Sequence, residues 1–153
     1  VGPLIEDHSA ETYALRILLE SEALRLSIPL LTPEDIAQAG AFIDALEQES
    51  DYTEIGRLNR LFHMALYSKA GNQRLLKLVE HGLNEEERFL RFNLEAMSLG
   101  ETSQEDHREL LDLVAKKKVE ESILTLRNHL TRGMEVITGY LKSLEEPEEN
   151  AAP

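Results

Sequence analysis

Three of the five histidines in this 153-residue chain fall where a helical repeat turns side chains toward neighbouring helices. His63 stands beside Phe62, and Asn59 precedes it by four residues, so on a helix the two side chains share one face. His107 precedes Leu110, Leu111 and Val114 by three, four and seven residues, and His129 flanks Leu126 and Gly133. Imidazole is the commonest protein ligand for a borderline divalent ion. Three imidazoles arriving from three helices, with an amide oxygen from Asn59, would hold Zn²⁺ or a similar cation and leave positions open for water or a ligand carboxylate. The spacing matches no strong zinc motif, and a histidine on a half-apolar face is equally at home as a packed, hydrogen-bonded core residue. Read from the residues alone, the three histidines are either a metal centre or part of the core. His8 and His81 are expected to face solvent.

The elements that must position these side chains are helices. Strong helix formers run throughout, prolines sit at boundaries, and no period-two strand pattern is present, so the expected class is all-α. Ser9 is the expected cap of a first helix running to about Ser27, with Tyr13, Ile17, Leu18, Leu24 and Leu26 as its apolar positions. Thr32-Pro33-Glu34-Asp35 opens a second, to about Glu49, with a capping threonine, a proline at the first helical position and acids at the positive end of the dipole. A third spans Tyr52 to Lys69 and stops at Ala70-Gly71-Asn72, where glycine suits a left-handed C-cap. Asn72 caps a fourth, which ends before Gly100; a fifth begins near Thr102 or Ser103 and ends in Lys116–Lys118; a sixth carries Val119, Ile123, Leu126, Leu130, Ile137, Leu141 and Leu144. Short connections make these antiparallel neighbours in a compact bundle of about six helices, whose core can house a site built from facing helices.

Composition narrows the classes. With 42% apolar and 29% charged residues the chain has the makeup of one globular domain. Cysteine is absent, which excludes disulfides and thiolate ligands, so a metal must be held by nitrogen and oxygen donors. A formal net charge of −13 argues against direct contact with DNA or RNA. Residues 1–8, with Gly2 and Pro3, are expected to be a leader or linker remnant, 9–145 the helical domain, and 146–153 a disordered acidic tail. No apolar stretch approaches the roughly 20 residues of a membrane span, which points to a cytoplasmic protein.

Beyond these general features, Asn59-Arg60-Leu61-Phe62-His63, Gly71-Asn72, Asp106-His107-Arg108-Glu109-Leu110-Leu111 and Asn128-His129-Leu130 follow one another in an ordered set. In order and approximate spacing that set resembles the FCD ligand-binding domain of GntR-family bacterial transcription regulators. Leu15-Arg16-Ile17-Leu18-Leu19-Glu20, followed by Ala23, matches the Arg-x-x-x-Glu of that family's first helix, and the resemblance covers Ala10 to Lys142. It implies a homodimeric sensor of small carboxylate effectors that meets DNA only through an N-terminal winged helix-turn-helix, absent from these 153 residues. It also implies a divalent metal, zinc first with nickel or manganese as alternatives, on Asn59, His63, His107 and His129. Asn59 departs from the commoner aspartate, and a neutral amide is the weaker ligand.

Arg16 is the expected second anchor of the effector, since a guanidinium holds a carboxylate bidentately; the alternative is an ion pair with Glu20 one turn on. Arg88, Arg91 and Arg127 are further cations on neighbouring helices. Two other functions compete with the sensor. A metal-dependent hydrolase is disfavoured because no inward carboxylate stands out as a general base, although Glu105 or Asp106 beside His107 could be nominated. A metal-free helical interaction module would make all three histidines structural. The chain is expected not to be an enzyme.

Overall fold

Side chains that close hydrogen bonds on orphaned backbone groups set three of the helix starts. The computed structural model describes residues 9–97 and 100–145, with side chains described for 10–93 and 106–145. The segments read as leader (1–8) and acidic tail (146–153) lie outside the described residues. The helices are α1 (Ser9–Ser27), a 3₁₀ turn (Ile28–Leu30), α2 (Pro33–Gln48), α3 (Tyr52–Tyr67), α4 (Gln73–Met97), α5 (Gly100–Ala115) and α6 (Val119–Glu145). At the start of α2, Thr32 Oγ1 accepts from the Asp35 amide at 3.2 Å while Asp35 Oδ2 accepts from the Thr32 amide at 2.9 Å, a reciprocal capping box. Asp51 Oδ1 accepts from Thr53 N at the head of α3, and Asn72 Oδ1 from Leu75 N at the head of α4.

Two residues with positive φ make the tight links. Gly71, at φ +79°, has nothing within 4 Å of where a Cβ would stand. Gly71→Ala should therefore destabilise by about 1 kcal/mol from backbone strain alone, read as a shifted urea midpoint with an unchanged m-value. Lys117 adopts φ 60° between α5 and α6, and its ammonium donates to the carbonyls of Ile28 (2.8 Å) and Leu31 (2.5 Å). A residue read as complementing the dipole of its own helix thus also satisfies carbonyls of a distant turn.

The helices form an all-α bundle, with no strand among the described residues. α1 packs along α6 and also touches α3 and α4; α2 packs on α3 and α5, α3 on α4, and α5 on α6. Arg25 reaches Glu120 while Tyr13 lies on Gly133, so α1 and α6 run antiparallel. Leu24, Ile28, Ile43, Phe62, Leu83, Leu110 and Leu126 are fully buried between them. Among the described residues, no helix is long and apolar enough to cross a membrane.

Three residues expected to face inward do not. Leu18, Leu26 and Leu144 are 65%, 37% and 62% exposed. In α1 the buried positions are Tyr13, Arg16, Glu20, Ser21, Ala23, Leu24 and Ser27, a face that recurs at steps of three and four. The inner face of this helix is partly charged, so a stripe drawn through its leucines lands on the wrong side.

Candidate functional site

The bundle brings His63 from α3, His107 from α5 and His129 from α6 to one place. One ring nitrogen from each lies within 4.8 Å of the others, and the ring centroids are 5.1–5.5 Å apart. His63 and His107 are each 1% exposed. Spacing explains the meeting: His63 follows Phe62 on the buried side of α3, His107 is one turn ahead of Leu110, and His129 precedes Leu130.

Hydrogen bonding distinguishes this cluster from packed core histidines. His107 has no partner at either nitrogen, and His63 Nε2 has none. His63 Nδ1 has only a 3.5 Å approach from the Tyr67 hydroxyl. Each buried, unsatisfied polar atom costs about 1–3 kcal/mol, and these two rings carry three between them. Burial pushes both His63 and His107 well below the usual 6.5, and the neighbouring His129 pushes the same way. Their lone pairs are therefore free for a Lewis acid at neutral pH, and a nitrogen donor set of this kind fits a borderline divalent ion.

The depressed values have a consequence for the metal-free protein. Unfolded imidazoles take up protons as pH falls through about 6.5, while the folded ones stay neutral to lower pH. The stability this pair contributes is complete above that value and declines below it, by up to about 1.4 kcal/mol per pH unit for each ring. Melting temperatures in chelator should fall from pH 7.5 to pH 5; a flat profile contradicts the burial of neutral rings.

His129 is placed differently. Its Nδ1 lies 3.1 Å from Asp106 Oδ2, and the same oxygen accepts from Arg132 Nη2 at 2.6 Å. The hydrogen bond with His129, then that from Arg132, hold the Asp106 carboxyl down at about 2 against the upward push of burial.

Arg16 is buried, and its charge adds to the downward push on His63. Its Nε donates to Glu20 Oε2 at 2.7 Å and its Nη1 to Glu86 Oε2 at 2.9 Å, whereas Nη2 is buried without a partner. The pairing with Glu20 offered as the structural alternative is present, but it is interior and shared with a second carboxylate. Tyr67 donates to Glu20 Oε1 and Tyr13 to Glu86 Oε2, both at 2.6 Å. Asn59 donates its amide to Glu86 Oε1 at 3.0 Å, which ties the helix of His63 to the partner of Arg16. Burial drives the Glu86 carboxyl upward, but Arg16 and the Tyr13 hydroxyl outweigh it, and the group titrates below the usual range. Gly82 admits the arginine: a Cβ there would stand 3.1 Å from Arg16 Cγ. Thr12, Tyr13, Arg16, Gly82, Glu86 and Ile137 line a recess at this point.

Sequence reasoning missed Glu86. Its signal was periodic, since Val79, Leu83, Glu86 and Leu90 follow steps of four, three and four along the inner face of α4. Asp106 was visible only as a general base, and nothing local to it pointed to His129 and Arg132. Arg88, Arg91 and Arg127 are exposed, and His81 faces solvent beside Glu85.

A family model described as the FCD domain matches residues 11–132 of this helical bundle. The chain belongs to the FCD domain family. It is 57% identical to a transcriptional regulator, a GntR family member, from Pseudomonas syringae pv. tomato, whose crystal structure superposes with a TM-score of 0.89 over 95% of this chain and 61% of that one. It is 32% identical to the uncharacterized HTH-type transcriptional regulator YdhC of Bacillus subtilis, over 92% of this chain and 63% of that protein. With the Nta operon transcriptional regulator of Aminobacter aminovorans it shares 27% identity, over 88% and 65%. The chain thus spans a little under two thirds of the length of these relatives.

Proposed function

We propose that this chain is the effector-sensing domain of a bacterial transcription regulator, holding a divalent cation on His63, His107 and His129 and a small organic acid beside it. The observation that carries the reading is the convergence of buried imidazole nitrogens with no protein partner. Zinc is the first choice, with nickel or manganese as alternatives. A bound ion would supply a positive, Lewis-acidic centre that draws a carboxylate into the bundle.

The protein's own groups do the rest. His63 and His107 are held neutral and offer lone pairs without releasing protons. Asn59 is the weakest candidate ligand, because a neutral amide oxygen holds a divalent ion less strongly than a carboxylate would; its nitrogen, a donor only, is engaged by Glu86, which leaves the carbonyl oxygen available. Arg16 keeps one guanidinium nitrogen unpaired for an effector oxygen. Its charge is already opposed by two carboxylates, Glu20 and Glu86. An acid entering alone would meet net negative charge, so acid binding depends on the cation, and by linkage each tightens the other.

The relatives named above are transcriptional regulators, and the carboxylate beside the imidazoles, Asp106, is engaged by His129 and Arg132 rather than free to act as a base. Both points favour a non-catalytic sensor. In this reading DNA is met through a winged helix-turn-helix outside these residues, in a cytoplasmic homodimer.

Thermal melts across di- and tricarboxylates and hydroxy acids, with zinc and with chelator, test the proposal. At 100 times its dissociation constant the right acid should raise the melting temperature by about 5–10 °C, in the presence of metal only. An acid that stabilises equally in chelator would contradict the coupling.

A further inference from the structure

Asp106 and His107 are adjacent on α5, about 100° apart around the helix axis. One turn therefore delivers His107 into the imidazole cluster and turns Asp106 toward α6. There the carboxylate meets His129 and Arg132, residues three apart on one face of α6, and a single oxygen, Oδ2, serves both. Asp106 and His129 are both mostly buried, at 16% and 15% side-chain exposure, while Arg132 is half exposed at 51%. With Nδ1 taken by Asp106, Nε2 is the nitrogen His129 has left to offer the cluster.

We propose that Asp106 is the positioning residue of this centre: by accepting the Nδ1–H of His129 it fixes the ring in the tautomer whose Nε2 carries the free lone pair, and Arg132 steadies the carboxylate from the solvent side. The inference rests on reading the three imidazoles as a metal centre. Without the carboxylate, His129 is free to rotate and to place its proton on Nε2, where it would block a metal. A carboxylate behind a ligating imidazole also raises its basicity, and losing such a partner commonly weakens metal binding 10–100-fold.

Two readouts on the full chain test this. Long-range ¹⁵N–¹H NMR of the metal-free protein should show His129 protonated at Nδ1, with the Nε2–H form gaining population in Asp106→Ala. Zinc affinity should fall about 10–100-fold in Asp106→Ala, recover in part in Asp106→Glu, and fall by less than about 3-fold in Arg132→Ala. Should the alanine variant not fold, Asp106→Asn keeps the size and one accepting oxygen but not the charge, and a loss of about 3–10-fold is expected. A simple α5–α6 tie would lower the melting temperature of these variants without moving the tautomer or the affinity. Zinc affinity unchanged in the Asp106 variants, or an Nε2–H tautomer in the wild-type protein, overturns the inference. Wild-type protein that takes up no zinc overturns the metal reading itself.

Discussion

Replacing Arg16 by methionine should lower the melting temperature by about 6–20 °C. The residue is 3% exposed and is the cation between Glu20 and Glu86, which are themselves tied to Tyr67, Tyr13 and Asn59. Removing one partner of a buried ion network leaves uncompensated charge, at about 3–5 kcal/mol. Methionine keeps the length of the stem that lies over Gly82, so lost packing contributes little. Neutralising the acids in the same protein, as in Arg16→Met with Glu20→Gln and Glu86→Gln, should recover much of the loss. The comparison belongs in chelator, so that metal does not enter. A drop under about 1 kcal/mol, the scale of exposed pairs such as Arg57 with Glu54, would mean the network is not interior in solution.

His107→Ala should remove nearly all zinc-dependent stabilisation. The wild-type protein is expected to gain about 5–10 °C from zinc at 100 times its dissociation constant, and the variant less than about 2 °C at the same concentration. His107 contributes one of three clustered imidazoles and makes no hydrogen bond that would give it another purpose. Its loss should raise the dissociation constant by more than about 100-fold, beyond what removal of an outer partner costs. In chelator the same substitution should be mild, because the cavity it opens is offset by the disappearance of two unsatisfied nitrogens. Equal zinc shifts in variant and wild type would return His107 to the core as a structural residue.

The two variants divide what was legible in the sequence from what was not. Helix number, the capping at Thr32 and Asn72, and the left-handed Gly71 followed from local chemistry that needs no partner. The histidines were legible because each falls on the apolar repeat of its own helix, and three such coincidences in one small domain are informative. Arg16 was visible as a residue but its surroundings were not. Its partner Glu86 is 70 residues away, and only the bundle's packing brings them within 2.9 Å. The inner face of α1 defeated the apolar reading because Arg16 and Glu20 occupy positions where a simple core would have leucines. Two leucines of that helix, Leu15 and Leu18, stand outside. Asp106 was hidden by a different effect: beside a histidine it looks like an acid–base partner of that residue, whereas helix geometry sends neighbours to different sides.

Whether the imidazole cluster holds a divalent cation is decided by calorimetric titration of zinc into the chelator-stripped chain. Saturation is expected at one zinc per chain, with a dissociation constant below about 1 μM at pH 7.5, lost in His107→Ala. No saturable uptake in the wild-type chain up to about 100 μM, or uptake that survives the substitution unchanged, would contradict a metal centre built on these three histidines.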